Sequence, residues 1–122
     1  MTFTLEFPFP TVHISANDRL HWRKKAALTK TWRDATCVYA HKAGWKDLPP
    51  STVRFAFAGV LVRDPHNMGP TEKACLDGLV DAGFWSDDDW KHVAVYPAEI
   101  IRKRRPLAER VVTITITERE PS

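Results

Sequence analysis

The chain has 122 residues, 43% of them hydrophobic, with 18 lysines and arginines against 15 aspartates and glutamates, for a formal charge of +3. That length and composition predict one folded domain over residues 1–122 and exclude a disordered chain. No apolar run approaches the roughly 20 residues that cross a bilayer, and MTFTLEFPFP lacks the positive start and apolar centre of a secretory signal. The expectation is therefore a cytoplasmic protein with no membrane partner.

Phe3, Leu5 and Phe7 alternate with Thr2, Thr4 and Glu6, which predicts a strand with one apolar face, stopped by Pro8 and Pro10. Residues 8–21 read as a loop. A helix follows over about 24–43, with Leu28, Trp32, Ala35 and Tyr39 at helical spacing towards the core and Gly44 as its stop. Thr52 to Val62 is rich in β-formers and apolar on both faces, so it reads as a central strand. Val53, Phe55, Phe57 and Leu61 fall on one side; Ala56, Ala58, Val60 and Val62 fall on the other. Pro65 disfavours helical geometry at Asp64, which places Asp64 at the end of that strand.

Gly69-Pro70 opens a second helix that runs to about Ala82 and stops at Gly83. Cys75, Leu79 and Ala82 form its buried face, and Gly78 allows close approach to the sheet. Val93 to Ile101 reads as a strand with a bend or edge at Pro97. Val112, Ile114 and Ile116 alternate with threonines in a last strand. The order β-α-β-α-β-β predicts an α/β (α+β) fold, a mixed β-sheet packed by two helices. Which strands are neighbours does not follow from the sequence. Cys37 and Cys75 fall in the two helices without metal-ligand spacing, so reduced thiols are expected.

Charge is unevenly spread. Arg19, Arg23, Lys24, Lys25, Lys30 and Arg33 lie close together, and Arg102, Lys103, Arg104 and Arg105 are consecutive. Seven carboxylates fall between Arg63 and Asp89. Such separation suits a polyanion gripped in one place and meeting a cation in another. It is equally what solvated faces and loops look like.

Crossing from strand to helix and back brings both ends of the acidic stretch to one neighbourhood. Asp64 and Asp87-Asp88-Asp89 can then share a site, with Lys73 and Asp77 on the helix between them. Carboxylates held close repel unless a cation intervenes. Oxygen donors with few histidines suit magnesium or manganese, and a metal so placed serves phosphodiester cleavage, with Lys73 neutralising developing charge. The plainer alternative stays open: Lys73 and Asp77 as a helix-surface ion pair, Asp64 as a turn cap, and the three aspartates as a turn signal.

The pieces Arg63-Asp64-Pro65-His66-Asn67, Lys73-Ala74-Cys75-Leu76-Asp77-Gly78-Leu79 and Gly83-Phe84-Trp85-Ser86-Asp87-Asp88 resemble the RusA-type Holliday junction resolvases. In that family an Arg-Asp-x-Asp-Asn motif is followed by a K-x-x-x-D helix and a Gly-x-x-x-Asp-Asp turn. The element order is similar over most of the chain, while the specific signal is confined to residues 63–93.

The resemblance implies Asp64 and Asp88 as metal ligands with Asp87 beside them, Lys73 as the catalytic lysine, and Asn67 and Asp77 as supporting residues. It implies Mg²⁺ or Mn²⁺ with no small-molecule cofactor, and a homodimer that cuts four-way DNA junctions. Arg19, Arg23, Lys24, Lys25, Lys30, Arg33 and Arg102 to Arg105 would contact phosphates. Two departures stand out: His66 replaces the family's second aspartate, and three extra residues separate Asn67 from Lys73. His66 is then a metal ligand favouring manganese, a proton-transfer group, or a plain loop residue. A junction-binding module without cleavage, a nuclease acting on flaps or forks, and an interaction domain remain as alternatives.

Overall fold

A computed structural model describes residues 1–16, 19–62 and 64–119. Asn17 and Asp18 of the polar loop, and Arg63 of the first motif, lie outside the described residues. The chain forms β1 (Thr2–Pro8), α1 (Trp22–Ala43), β2 (Ser51–Ala58), a 3₁₀ turn (Pro65–Met68), α2 (Gly69–Asp81), β3 (Val93–Val95), β4 (Glu99–Ile101), a second 3₁₀ turn (Leu107–Glu109) and β5 (Val111–Glu118). A five-stranded mixed sheet with two helices makes the fold α+β, as the element order predicts.

The last strand lies inside the sheet. β5 pairs antiparallel with β1 on one side and with β2 on the other, and the short strands β3 and β4 both lie parallel along the far edge of β2. Alternation explains which face the helices cover. Leu5 and Phe7 of β1, Val53, Phe55 and Phe57 of β2, and Val112, Ile114 and Ile116 of β5 are all buried, while threonines take the opposite face of β5.

α1 carries the aromatic side of the core. Trp32 is fully buried, and its indole Nε1 donates to the Val12 carbonyl at 2.9 Å, which ties the loop after β1 to the helix. The helix starts at Trp22, two residues earlier than expected, because His21 Nδ1 accepts from the Arg23 amide at 3.2 Å. It ends at Gly44, whose φ of 78° is the left-handed cap a glycine allows. Its fully buried residues are Trp32, Thr36 and Ala40, with Leu28 and Tyr39 at the margin of the core. The expected face is thus rotated. The reason is that α1 also packs along α2, so its buried stripe is shared between sheet and helix.

Gly78 shows that packing directly. A Cβ there would lie 2.5 Å from the Arg33 carbonyl oxygen and 2.9 Å from Thr36 Cβ. The close approach is therefore to α1 and not, as expected, to the sheet.

Two strand boundaries also differ. β2 stops at Ala58, not Val62, because both of its neighbours end there: Val111 of β5 and Ile101 of β4 are the last partners. Gly59, with φ of 97°, then turns the chain out of the sheet. Leu61 is 58% exposed while Val60 and Val62 are buried, so the expected alternation does not continue past the turn. The span 93–101 is two three-residue strands with Pro97 between them, consistent with the bend that proline marks.

Candidate functional site

Asp64 lies six residues past the end of β2, so it is not the strand-end residue the sequence suggested. Its backbone is extended, and it caps the 3₁₀ turn Pro65–Met68: Oδ1 accepts from the His66 amide at 3.0 Å and the carbonyl accepts from the Asn67 amide at 3.0 Å. Pro65 at the first position has no amide hydrogen to satisfy, which is why the turn begins there. The residues between Asn67 and Lys73 are the end of this turn and the first residues of α2. The Asn67 carbonyl accepts from the Ala16 amide at 2.9 Å. Thr71, buried in the first turn of α2, exchanges hydrogen bonds with the Ile14 amide and carbonyl at 2.8 and 2.9 Å. The loop after β1 is thereby fastened to the start of α2.

Lys73 stands on the exposed side of α2. Its ammonium donates to Asp77 Oδ1 at 3.0 Å, one helical turn on, and to Asp88 Oδ2 in the turn after the helix. The hydrogen bond to Asp88, followed by that to Asp77, pushes the Lys73 pKa up; the same bond from Lys73 holds the Asp88 carboxyl below its ordinary value. Asp87 Oδ1 accepts from the Asp88 amide at 2.7 Å, which orients the acidic turn. Asp77 also faces Arg33 across the helix pair at 4.0 Å, and Arg33 grips Asp81 through two bonds of 2.6 and 2.8 Å. Signs therefore alternate along Asp88, Lys73, Asp77, Arg33 and Asp81.

The structure thus brings together Lys73, Asp77, Asp87 and Asp88. His66 is exposed on the turn before α2, and the charged group it influences is Glu72, which it draws downward. Burial outweighs that pull and lifts the Glu72 carboxyl to about 6. Glu72 Oε1 is buried without a hydrogen-bond partner. Glu72 stands in the first turn of α2, where a carboxylate suits the helix dipole; its burial arises only from packing.

Ser86, Asp89 and His92 form a second array. Asp89 Oδ1 lies 2.5 Å from His92 Nδ1, and His92 Nε2 lies 3.1 Å from Ser86 Oγ. The Asp89 carbonyl accepts from the His92 and Val93 amides at 3.0 and 2.9 Å. These ties lock residues 86–93 into one turn and so hold Asp87 and Asp88 in place. The signal was present as Ser, Asp and His at spacings of three residues.

Of the expected DNA contacts, Arg19, Arg23, Lys24, Lys25 and Arg102 to Arg105 are exposed. Arg23 stacks over the exposed Trp22 ring at 5.1 Å. Lys30 is paired with Asp34 at 2.5 Å, and Arg33 with Asp81. Each already has a carboxylate partner within the chain, with which a phosphate would have to compete. Trp85 is buried in the core, whereas Trp90 is 76% exposed.

The donor chemistry of Asp64, Asp87 and Asp88 suits a hard cation, since magnesium needs only one or two carboxylates beside water and substrate oxygens. Among the described residues, however, no three His, Cys, Asp or Glu side chains converge as a metal-holding group. The ligand set Asp64, His66, Asp87 and Asp88 is therefore not assembled in this arrangement. Lys73 neutralises Asp88, and one oxygen of Asp64 serves as a cap. The chain matches no family model and no curated protein. No described helix is long and apolar enough to cross a membrane.

Proposed function

We propose that the chain is a metal-dependent endodeoxyribonuclease that cuts branched DNA, with four-way junctions as its substrate, in recombination, repair or phage DNA processing. The observation that carries this reading is the contact of Lys73 with Asp88. It joins the helix motif and the acidic-turn motif, fifteen residues apart, into one exposed cluster of the composition phosphodiester hydrolysis requires.

The acidic cluster needs a cation before DNA can approach it. To hold magnesium or manganese, Asp88, Asp87 and Asp64 would have to draw together from their present positions; the ion would then supply an activated water and charge neutralisation. Lys73 would then be available to a phosphate oxygen and would stabilise charge as it develops. His66, exposed beside the cap, would complete or tune the site. Following the resemblance, the products would carry a 5′-phosphate and a 3′-hydroxyl. A two-fold homodimer with one site per chain matches the two nicks a junction needs.

The basic residues fit a polyanionic substrate. The first turn of α1 carries Arg23, Lys24 and Lys25 and no acid. Cations at that end oppose the helix dipole, at a cost of a few tenths of a kcal/mol each. Bound phosphate would offset the cost.

The test is incubation of a synthetic four-way junction with the protein and Mg²⁺, Mn²⁺ or EDTA, using wild type, Asp64→Asn and Asp88→Asn. Metal-dependent nicking lost in both variants supports the reading. Junction retention without nicking would replace it with a binding module, and preferential cutting of flaps or forks would change the substrate.

A further inference from the structure

The loop between β4 and β5 forms, with the turn after β2, a cavity of about 250 Å³ lined by His13, Gly59, Val60, Leu61, Arg104 and Arg110. We propose that this cavity is a binding site for one backbone phosphate of DNA, separate from the acidic cluster. The source of the phosphate rests on the nuclease reading; the anion chemistry does not.

Three observations carry it. First, among the described residues neither Arg104 nor Arg110 has an acidic partner, unlike Lys30, Arg33 and Lys73. Two guanidinium groups lining one concavity without a carboxylate are an unbalanced positive site, and the planar fork of arginine suits phosphate oxygens.

Second, the arginines stand on a braced backbone. The Arg105 amide donates to the Gly59 carbonyl at 3.1 Å, the Gly59 amide to Ile101 at 3.3 Å, and the Phe9 amide to the Arg110 carbonyl at 3.0 Å. Arg110 Nε donates to the Arg105 carbonyl at 3.0 Å, which sets the plane of its guanidinium. The Arg110 side chain is thereby already ordered in the free protein, so little of its freedom is lost on binding.

Third, the wall has no room for another residue. A Cβ on Gly59 would lie 2.9 Å from Arg110 Cγ and 3.1 Å from Arg105 Cβ. Glycine at φ of 97° lets the arginine stem cross the chain there.

Position links the cavity to the start of α2 from two sides. Asp64 follows Leu61 by three residues, at most about 11 Å of chain. His13 precedes Ile14, which is bonded to Thr71 in the same helical turn region as Lys73.

The test uses the full chain, labelled with ¹⁵N, in EDTA so that no cleavage occurs. The amides of Gly59, Val60 and Leu61 and the Nε–H groups of Arg104 and Arg110 are followed during titration with junction DNA and, separately, with inorganic phosphate. Movement of these signals with DNA at far lower concentration than with phosphate is expected. In binding assays the double variant Arg104→Gln/Arg110→Gln should lose about tenfold in affinity and about one unit of the log–log salt slope. The control Arg102→Gln/Lys103→Gln removes the same charge outside the cavity and should lose less.

Equal losses in the two double variants would overturn the cavity in favour of general electrostatics. Signals that move with phosphate and not with DNA would overturn the DNA source, and signals that move with neither would overturn the site. A junction that binds through these arginines but is never nicked would remove the nuclease reading and leave this one standing.

Discussion

Lys73 Nζ hydrogen-bonds Asp88 Oδ2 and so closes α2 onto the turn that leads to β3. Through Asp77 and Arg33 the same chain of charges continues to Asp81 on the side of α2 that meets α1. The acid gathered around this short helix is thus balanced locally, from the exposed cluster at one end to the helix–helix contact at the other.

Lys73→Met separates catalysis from stability. The Lys73 side chain is 59% exposed and that of Asp88 22%, and an exposed pair contributes at most about 1 kcal/mol. Thermal unfolding should therefore move little. If Lys73 stabilises the transition state, junction nicking should fall by about 10² to 10³. A nicking rate equal to wild type would remove Lys73 from the mechanism.

Arg33 acts within the fold. Its two bonds to Asp81 predict a coupling of about 0.5–1 kcal/mol, measured by a double-mutant cycle with Arg33→Ala and Asp81→Ala under urea, and weakened by salt. Junction affinity of Asp81→Ala should not fall. A large loss of DNA affinity in Arg33→Ala that persists in the double variant would make the arginine a phosphate contact.

Gly78→Ala tests the contact between the helices. The added methyl meets the Arg33 carbonyl, which is backbone and cannot swing aside, so α2 must shift. The expected cost is about 1–3 kcal/mol, despite the better helix propensity of alanine. A variant as stable as wild type in equilibrium unfolding would mean the helices sit farther apart.

Glu72 sets a pH dependence. A carboxyl raised to about 6 from an ordinary value near 4.5 stabilises the fold while protonated. Its contribution is complete below the unfolded value and is lost as pH rises through about 6. The full shift corresponds to about 2 kcal/mol, and partial exposure reduces it to about 1. Glu72→Gln should therefore be more stable than wild type by about 1 kcal/mol at pH 8 and equal to it near pH 4. Asp88 works oppositely: its lowered pKa adds stability above the ordinary aspartate value that is lost as pH falls further, a small effect for an exposed pair. Parallel pH profiles for wild type and Glu72→Gln would count against a buried, unpartnered carboxyl.

Much of the site was legible because its parts are local. The Lys73–Asp77 pair follows from a spacing of four on a helix, and the capping role of Asp64 from an aspartate before proline. The contact of Lys73 with Asp88 depends on where α2 points after Gly83, and the burial of Glu72 on what packs beside it. Neither is encoded at short range. Asp64 stands away from β2 because the strand ends at Ala58 and Gly59 turns the chain out of the sheet, which spacing alone did not reveal.

Alternating apolar residues by themselves determined which faces of β1 and β5 are buried, and Gly44 and Gly83 where the helices stop. Those features arise from side-chain period and backbone sterics within a few residues. Only the tertiary structure placed β5 between β1 and β2, turned Gly78 towards α1, and brought Arg104 and Arg110 to one cavity with His13. Sheet order and the meeting of distant charges depend on which apolar surfaces can be buried together, a property of the whole chain that no local window contains.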